Sequence, residues 1–231
     1  MGETVIERDG GAASWWDSFK PYLEKAPIAA FFVGVSSGFP YAMIGATLTT
    51  RLAQDGITKS TDTTFALAFL VYNLKFLWAW IVDGVRLPLL GRLGQRVSRL
   101  IFAGVLVMAA VANLALQDPS ANIYQTAIAA ILVGVAGATF DIVIDAYRIE
   151  LLEPRQLGVG SGMSQYGWRI GSVAAWGVAL VVAARGGWEV AYLACPLLAL
   201  PAMLTGLIVG EPERHKEPTA RKGMAEAVDA I

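Results

Sequence analysis

Six apolar stretches, each close to the length needed to cross a bilayer, set what this chain can fold into. A helix spans the hydrocarbon layer with about 20 mostly apolar residues. The stretches run Pro27 to Leu52, Thr64 to Gly84, Arg99 to Leu116, Asn122 to Ala146, Gly160 to Ala184 and Trp188 to Gly210. They define an all-α integral membrane protein, a six-transmembrane-helix bundle over residues 27–210. Residues 1–26 form a cytoplasmic segment in which SWWDSFKPYLEK sets aromatic residues beside lysines, the pattern of a short amphipathic helix in the interface. Residues 211–231 are charged and poor in bulky apolar groups, and read as a flexible cytoplasmic tail.

Composition agrees with lipid as the main solvent. Of the 231 residues, 55% are hydrophobic and 16% charged, whereas soluble domains carry roughly a quarter charged. The formal net charge is -1, and no basic stripe with interleaved aromatics occurs, so nucleic acid is not an expected partner. Cys195 has no second cysteine to pair with, and the lone His215 lies in the polar tail. Disulfides, a metal site, a cofactor and an enzymatic nucleophile are therefore not expected. Gly158, Gly160 and Ser161 imitate a dinucleotide loop, but no strand precedes them. The amino end carries Glu3, Glu7 and Asp9 and lacks a basic region running into a short apolar core, so it does not read as a signal peptide.

Charge asymmetry gives the orientation. The segment after the second stretch holds Arg86, Arg92, Arg96 and Arg99, and short arginine-rich loops stay cytoplasmic. With six spans both termini share that side, which then also collects Lys20, Lys25, Arg148, Arg155 and the basic residues of the tail. The outer side keeps Arg51, Lys59 and Arg185.

Two cations remain inside the membrane. A rise of 1.5 Å per residue puts Lys75 about 16 Å from the outer end of its stretch and Arg169 about 14 Å from the inner end of its own. A charge at that depth costs at least about 2.5 kcal/mol and needs a counter-ion, a cavity or an anionic ligand. Asp141 and Asp145 share a helix face, but the same rise sets Asp141 about 10 Å closer to the cytoplasm than Lys75. The two cations are thus expected to lack level acids and to face an anionic solute or another chain. The competing reading pairs each cation with an acid or a backbone carbonyl inside the bundle. For Asp145, Arg148 and Glu150 it gives an interfacial network locking the inner helix ends, and for Asp83 a pairing with the arginines that follow it or with a neighbouring helix terminus.

In the first stretch, Ser36, Ser37, Gly38, Phe39 and Pro40 sit at the centre. Gly38 and Pro40 predict a break there, since proline removes one backbone hydrogen bond and glycine loosens the preceding turn. Interrupted helices line binding cavities in transporters. Tyr41, Asn73, Gln165, Tyr166 and Trp168 lie at comparable depth and add polar or aromatic groups to such a cavity. Gly134, Gly137 and Ala138, and the glycines from Gly158 to Gly171, predict close helix packing.

The stretches VGVSSGFPYAM, YNLKFLWAWIVDGVRLPLLGRLGQR and ATFDIVIDAYRIELLEP together resemble the AmpG-type muropeptide permeases of the major facilitator superfamily. The likeness covers Val33 to Gly210 and matches the amino-terminal six-helix half of such a protein. It implies half of a major-facilitator-type fold and a proton-coupled importer of anhydro-muropeptides in the bacterial inner membrane. The family's loop motif is carried here by Asp83, Gly91, Arg92 and Arg96, with extra residues inserted. On this reading Lys75, Arg169, Tyr41, Asn73, Gln165 and Tyr166 bind an anionic solute, and Asp83, Asp141, Asp145 and Arg148 serve gating or proton coupling. Expected partners are the bilayer and a second half-transporter chain, a second copy or a larger membrane complex. The alternative is a non-transporting accessory or assembly subunit.

Overall fold

A computed structural model describes residues 15–57, 62–84 and 94–212. The loop arginines Arg86 and Arg92, Gly91 and the basic tail lie outside the described residues, as does the side chain of Asp83. The described chain is helical throughout: α1 (Trp15–Phe19), α2 (Lys25–Ala42), α3 (Leu48–Gln54), α4 (Asp62–Asn73), α5 (Phe76–Gly84), α6 (Gln95–Ala115), α7 (Ile123–Leu151), α8 (Leu157–Ala194) and α9 (Leu200–Val209).

Among the described residues, four continuous stretches are long and apolar enough to cross a membrane: Lys25–Gln54, Gln95–Ala115, Ile123–Leu151 and Pro154–Val209. The expected count of six differs in two places. The stretch expected from Thr64 to Gly84 is two short helices, because the chain turns at Leu74 and Lys75 between α4 and α5. The fifth and sixth stretches run together, and α8 contains one non-helical residue, Gly187, at φ +81°. Only glycine adopts that conformation without a Cβ penalty. The chain doubles back there: the Cys195 thiol lies 3.6 Å from the carbonyl oxygen of Ala175, although twenty residues of straight helix would separate them by about 30 Å.

The expected break at Gly38 and Pro40 is displaced. Helix α2 continues through both residues, and the irregularity falls downstream in a π-helical turn, Met43–Thr47, where Gly45 has φ -95° and ψ -108°. Pro40 is accommodated because its ring packs on Gly137 of α7, where an added Cβ would come within 2.7 Å of the ring.

Helix α2 is the central element, lying against α8, α7 and α9. Its contact with α8 is backbone to backbone. Gly34 and Gly38 on α2 face Ser164 and Ser172, and Gly167 and Gly171 on α8 face Phe31 and Val35. A Cβ at any of the four would stand less than 3 Å from main-chain atoms of the opposite helix. Two small-xxx-small pairs thus interlock, one on each helix. The Ser172 hydroxyl donates to the Gly38 carbonyl at 2.9 Å. On another face of α2, the buried Ser36 hydroxyl accepts the Ala202 amide of α9 at 2.9 Å.

The helix ends are capped locally and at long range. The Asn122 side chain accepts the Gln125 amide at 3.1 Å and starts α7. At the start of α6 the cap is supplied from a distant part of the chain. The Glu211 carboxylate accepts the amides of Arg96 and Val97 at 2.9 and 3.1 Å, placing negative charge at the positive end of the helix. Arg96 then binds Glu150 of α7 through two nitrogens, at 2.9 and 2.5 Å. The Tyr147 hydroxyl donates to the Gly210 carbonyl at 2.9 Å. One cluster therefore ties together the start of α6, the last turn of α7 and the end of α9.

Candidate functional site

The interruption between α4 and α5 determines where Lys75 stands. Its side chain leaves the turn beside α7, whose Asp141, Asp145 and Arg148 follow one another at four- and three-residue spacing and so share one face. The Lys75 ammonium donates to Asp141, and its distance to Asp145 is 3.4 Å. Asp141 also accepts the Ser37 hydroxyl of α2. The other oxygen of Asp145 accepts Arg148 at 2.9 Å. The result is a chain of charge-assisted contacts, Ser37 to Asp141 to Lys75 to Asp145 to Arg148, with two positive and two negative members. Asp141 is the more enclosed acid, its side chain 14% exposed against 40% for Asp145.

This arrangement overturns the expectation that Lys75 lacks a level acid. Two assumptions behind the depth estimate fail. Helix α7 continues to Leu151 rather than ending near Ala146, so Asp141 lies farther from the inner end than expected. Helix α4 also ends at Asn73, so Lys75 stands on the turn that follows it rather than inside a straight span.

The cluster faces a cavity of about 340 Å³ lined by Ser37, Lys75, Asp141, Asp145, Arg148, Ser164, Gln165 and Trp168. Helix α8 supplies the last three of these. Behind Trp168 the wall is aromatic. Tyr41 lies with its ring 5.5 Å from Trp168, 5.2 Å from Phe69 and 5.5 Å from Tyr72, centroid to centroid. The Tyr72 hydroxyl and the Arg148 Nε are buried without a hydrogen-bond partner among the described residues. Helix α5 is fastened to α7 nearby, where the Trp78 indole donates to the Thr139 hydroxyl at 3.2 Å.

The residues expected to bind solute divide. Lys75 and Gln165 line the cavity, together with the expected coupling residues Asp141, Asp145 and Arg148. Tyr41 borders an adjoining apolar hollow that shares Trp168. Arg169 and Tyr166 are exposed and do not line this cavity, and Asn73 donates back to the Phe69 carbonyl of its own helix at 2.8 Å. The expected lock of the inner helix ends exists for Glu150, which engages Arg96, whereas Asp145 and Arg148 turn into the cavity. Ser164 is not among the residues the sequence points to, and Ser37 is named there only as part of the predicted break. The available signal was a hydroxyl one helix face away from glycines that bring α2 and α8 together, but serine is too common in membrane helices to stand out.

A membrane-embedded helical bundle with a charge-balanced cluster at a helix interruption, opening on a polar cavity, is the class this fold and site define. Residues 30–229 match the Major Facilitator Superfamily, and the chain belongs to that family. It is similar to a Rickettsia conorii protein that carries the name AmpG 4, at 31% identity over 189 residues, which cover 81% of this chain and 46% of the relative. It is also similar to the anhydromuropeptide permease of Escherichia coli, at 29% identity over 181 residues, covering 78% of this chain and 36% of that one. The chain spans about half the length, or less, of these curated relatives.

Proposed function

We propose that this chain forms a six-helix half of a proton-coupled transporter that moves an anionic solute, of the anhydromuropeptide class, across a bacterial inner membrane. The observation that carries the reading is the pairing of Lys75 with Asp141 and Asp145 beside a polar cavity in an otherwise apolar bundle. On this reading α4 and α5 together make one crossing, since the 12 residues of α4 and the 9 of α5 extend about 31 Å when laid end to end. The reversal at Gly187 divides the long last stretch into two more crossings. Six crossings leave both ends of the described chain on the cytoplasmic side, and the open face of the cavity meets a second six-helix unit.

The cluster supports a simple coupling scheme. With both acids ionised, Lys75 is held by Asp141 and Asp145, and the site is neutral without solute. Protonation of one acid weakens that hold and leaves a net positive charge, which the carboxylate of a solute balances at Lys75. Release of the solute returns Lys75 to its acids and expels the proton. Solute and proton then occupy the site together, as cotransport requires, because each binds better when the other is present. Gln165 and Ser164 provide neutral hydrogen-bonding groups, and Trp168 an apolar face, for the uncharged part of the solute.

The test is uptake of a radiolabelled anhydromuropeptide into vesicles under an imposed pH gradient, by cells or proteoliposomes holding the chain with its second six-helix unit. Replacing Lys75 with Gln is expected to abolish gradient-driven uptake. Wild-type uptake by K75Q at matched protein levels would sink the scheme.

A further inference from the structure

A second site lies on the opposite side of α2 from the charge cluster. Two apolar hollows of about 490 and 450 Å³ run along the seam between α2 and α9. They share Phe32, Thr205 and Ile208, so they form one continuous trough. The trough extends from Lys25, the first residue of α2, to Leu197, just before α9. The stretch Leu197 to Val209 corresponds to about 18 Å of helix, close to the roughly 15 Å of hydrocarbon in a single leaflet.

The charge at the mouth distinguishes this trough from ordinary lipid-facing surface. Lys25 is exposed and makes no ion pair among the described residues. The neighbouring acid, Glu24, turns away from it, since its carboxylate accepts Gln156 and lies 3.4 Å from Arg155. Lys25 also stands at the positive end of an 18-residue helix, where an anion is favoured. Trp15 and Trp16 of α1, each 61% exposed, lie a short way upstream in sequence, and indole rings favour the headgroup level.

From these features we infer that the α2–α9 trough is a binding site for one anionic phospholipid. One acyl chain lies along Phe32, Leu204 and Ile208, and the phosphate rests at Lys25. This site is independent of the transport reading, because none of its residues lines the charged cavity. Lysine at the mouth selects headgroup charge, and the trough selects an aliphatic tail.

Native mass spectrometry of the full chain in detergent, titrated with dioleoyl phosphatidylglycerol or dioleoyl phosphatidylcholine, tests the site. The wild type is expected to retain one phosphatidylglycerol about fivefold more tightly than phosphatidylcholine, the preference one lysine gives at an anionic surface. Lys25→Gln should remove that preference and Lys25→Arg should keep it. Ile208→Trp, made at a residue 82% exposed and so harmless to folding, should narrow the trough and lower retention of both lipids. Equal retention of the two lipids by the wild type, or an undiminished preference in Lys25→Gln, overturns the inference. So does an Ile208→Trp variant that retains both lipids but changes oligomeric state, which would make the trough a protein interface.

Discussion

Lys75, on the turn between α4 and α5, reaches Asp141 in the middle of α7, and Asp141 is the more enclosed of the two acids facing it. A pair of this kind is costly to break from one side, because the remaining charge loses its partner in a medium that solvates it poorly. Removing both charges costs less. The variants K75Q and D141N are each expected to lower stability by about 1–3 kcal/mol, and the double variant to recover part of that loss. Thermal unfolding in detergent, followed by loss of the monodisperse peak, checks this. If the double variant is no more stable than the worse single one, the pair is not the unit that matters.

The two acids are expected to differ in function. Asp145 divides its oxygens between Lys75 and Arg148 and is the more exposed, so losing it leaves Lys75 with Asp141. D145N should therefore keep the fold and a substantial part of solute binding, while gradient-driven accumulation falls at least tenfold. Comparison of counterflow, which needs binding and reorientation only, with uptake driven by a pH gradient separates these effects. Equal losses in both assays would assign Asp145 to binding rather than coupling.

Glycines at the α2–α8 contact have no room for a side chain, whereas others on the same helix do. A Cβ on Gly171 would overlap the main chain of Val35, but nothing lies within 4 Å of a Cβ on Gly162 or Gly177. Gly171→Leu is expected to cost more than about 3 kcal/mol, since neither backbone can yield as a side chain would. Gly162→Ala and Gly177→Ala should stay near the wild type. Yield of monodisperse protein after extraction reads the contrast directly.

Much of this architecture was legible in the sequence, and the failures share a cause. Apolar length alone places most helix ends to within a few residues, because it depends on local composition. The break expected at Pro40 falls downstream because a kink depends on what the ring packs against, and Gly137 lies nearly a hundred positions away. Counting depth along ideal straight helices denies Lys75 a level acid, whereas α7 runs on to Leu151 and the competing reading, an internal ion pair, is the one the structure forms. Depth alone is what puts Arg169 among the expected site residues. Depth says nothing of the face a side chain occupies, and the four-residue spacing of Gly167 and Gly171, packed against α2, turns Arg169 outward.

The capping of α6 by Glu211 links two segments more than a hundred positions apart, and it carries its own test. The Glu211 carboxylate accepts two amides that the helix leaves unsatisfied. Replacing Glu211 with Ala is expected to cost about 1 kcal/mol and to speed hydrogen exchange at Arg96 and Val97 while leaving the middle of α6 protected. Exchange that rises evenly along α6 would instead make Glu211 a general anchor of the bundle.

The crossing count is open to direct chemical measurement, because the only cysteine of the chain, Cys195, is buried and gives little background with a membrane-impermeant maleimide. Single cysteines replacing Asp55, Asp118 and Arg155 sit on exposed connections after α3, after α6 and after α7. If α4 and α5 together cross once, Asp55→Cys and Asp118→Cys share the outer side and label in intact cells, while Arg155→Cys labels only after the membrane is opened. If α4 and α5 instead dip in and return, Asp55 and Asp118 lie on opposite sides and only one of the two labels in intact cells. The comparison also decides whether Lys75 stands at mid-depth in a crossing segment or at the tip of a re-entrant one. In the first case the Lys75–Asp141 pair lies between the two aqueous phases, the position a gated binding site requires.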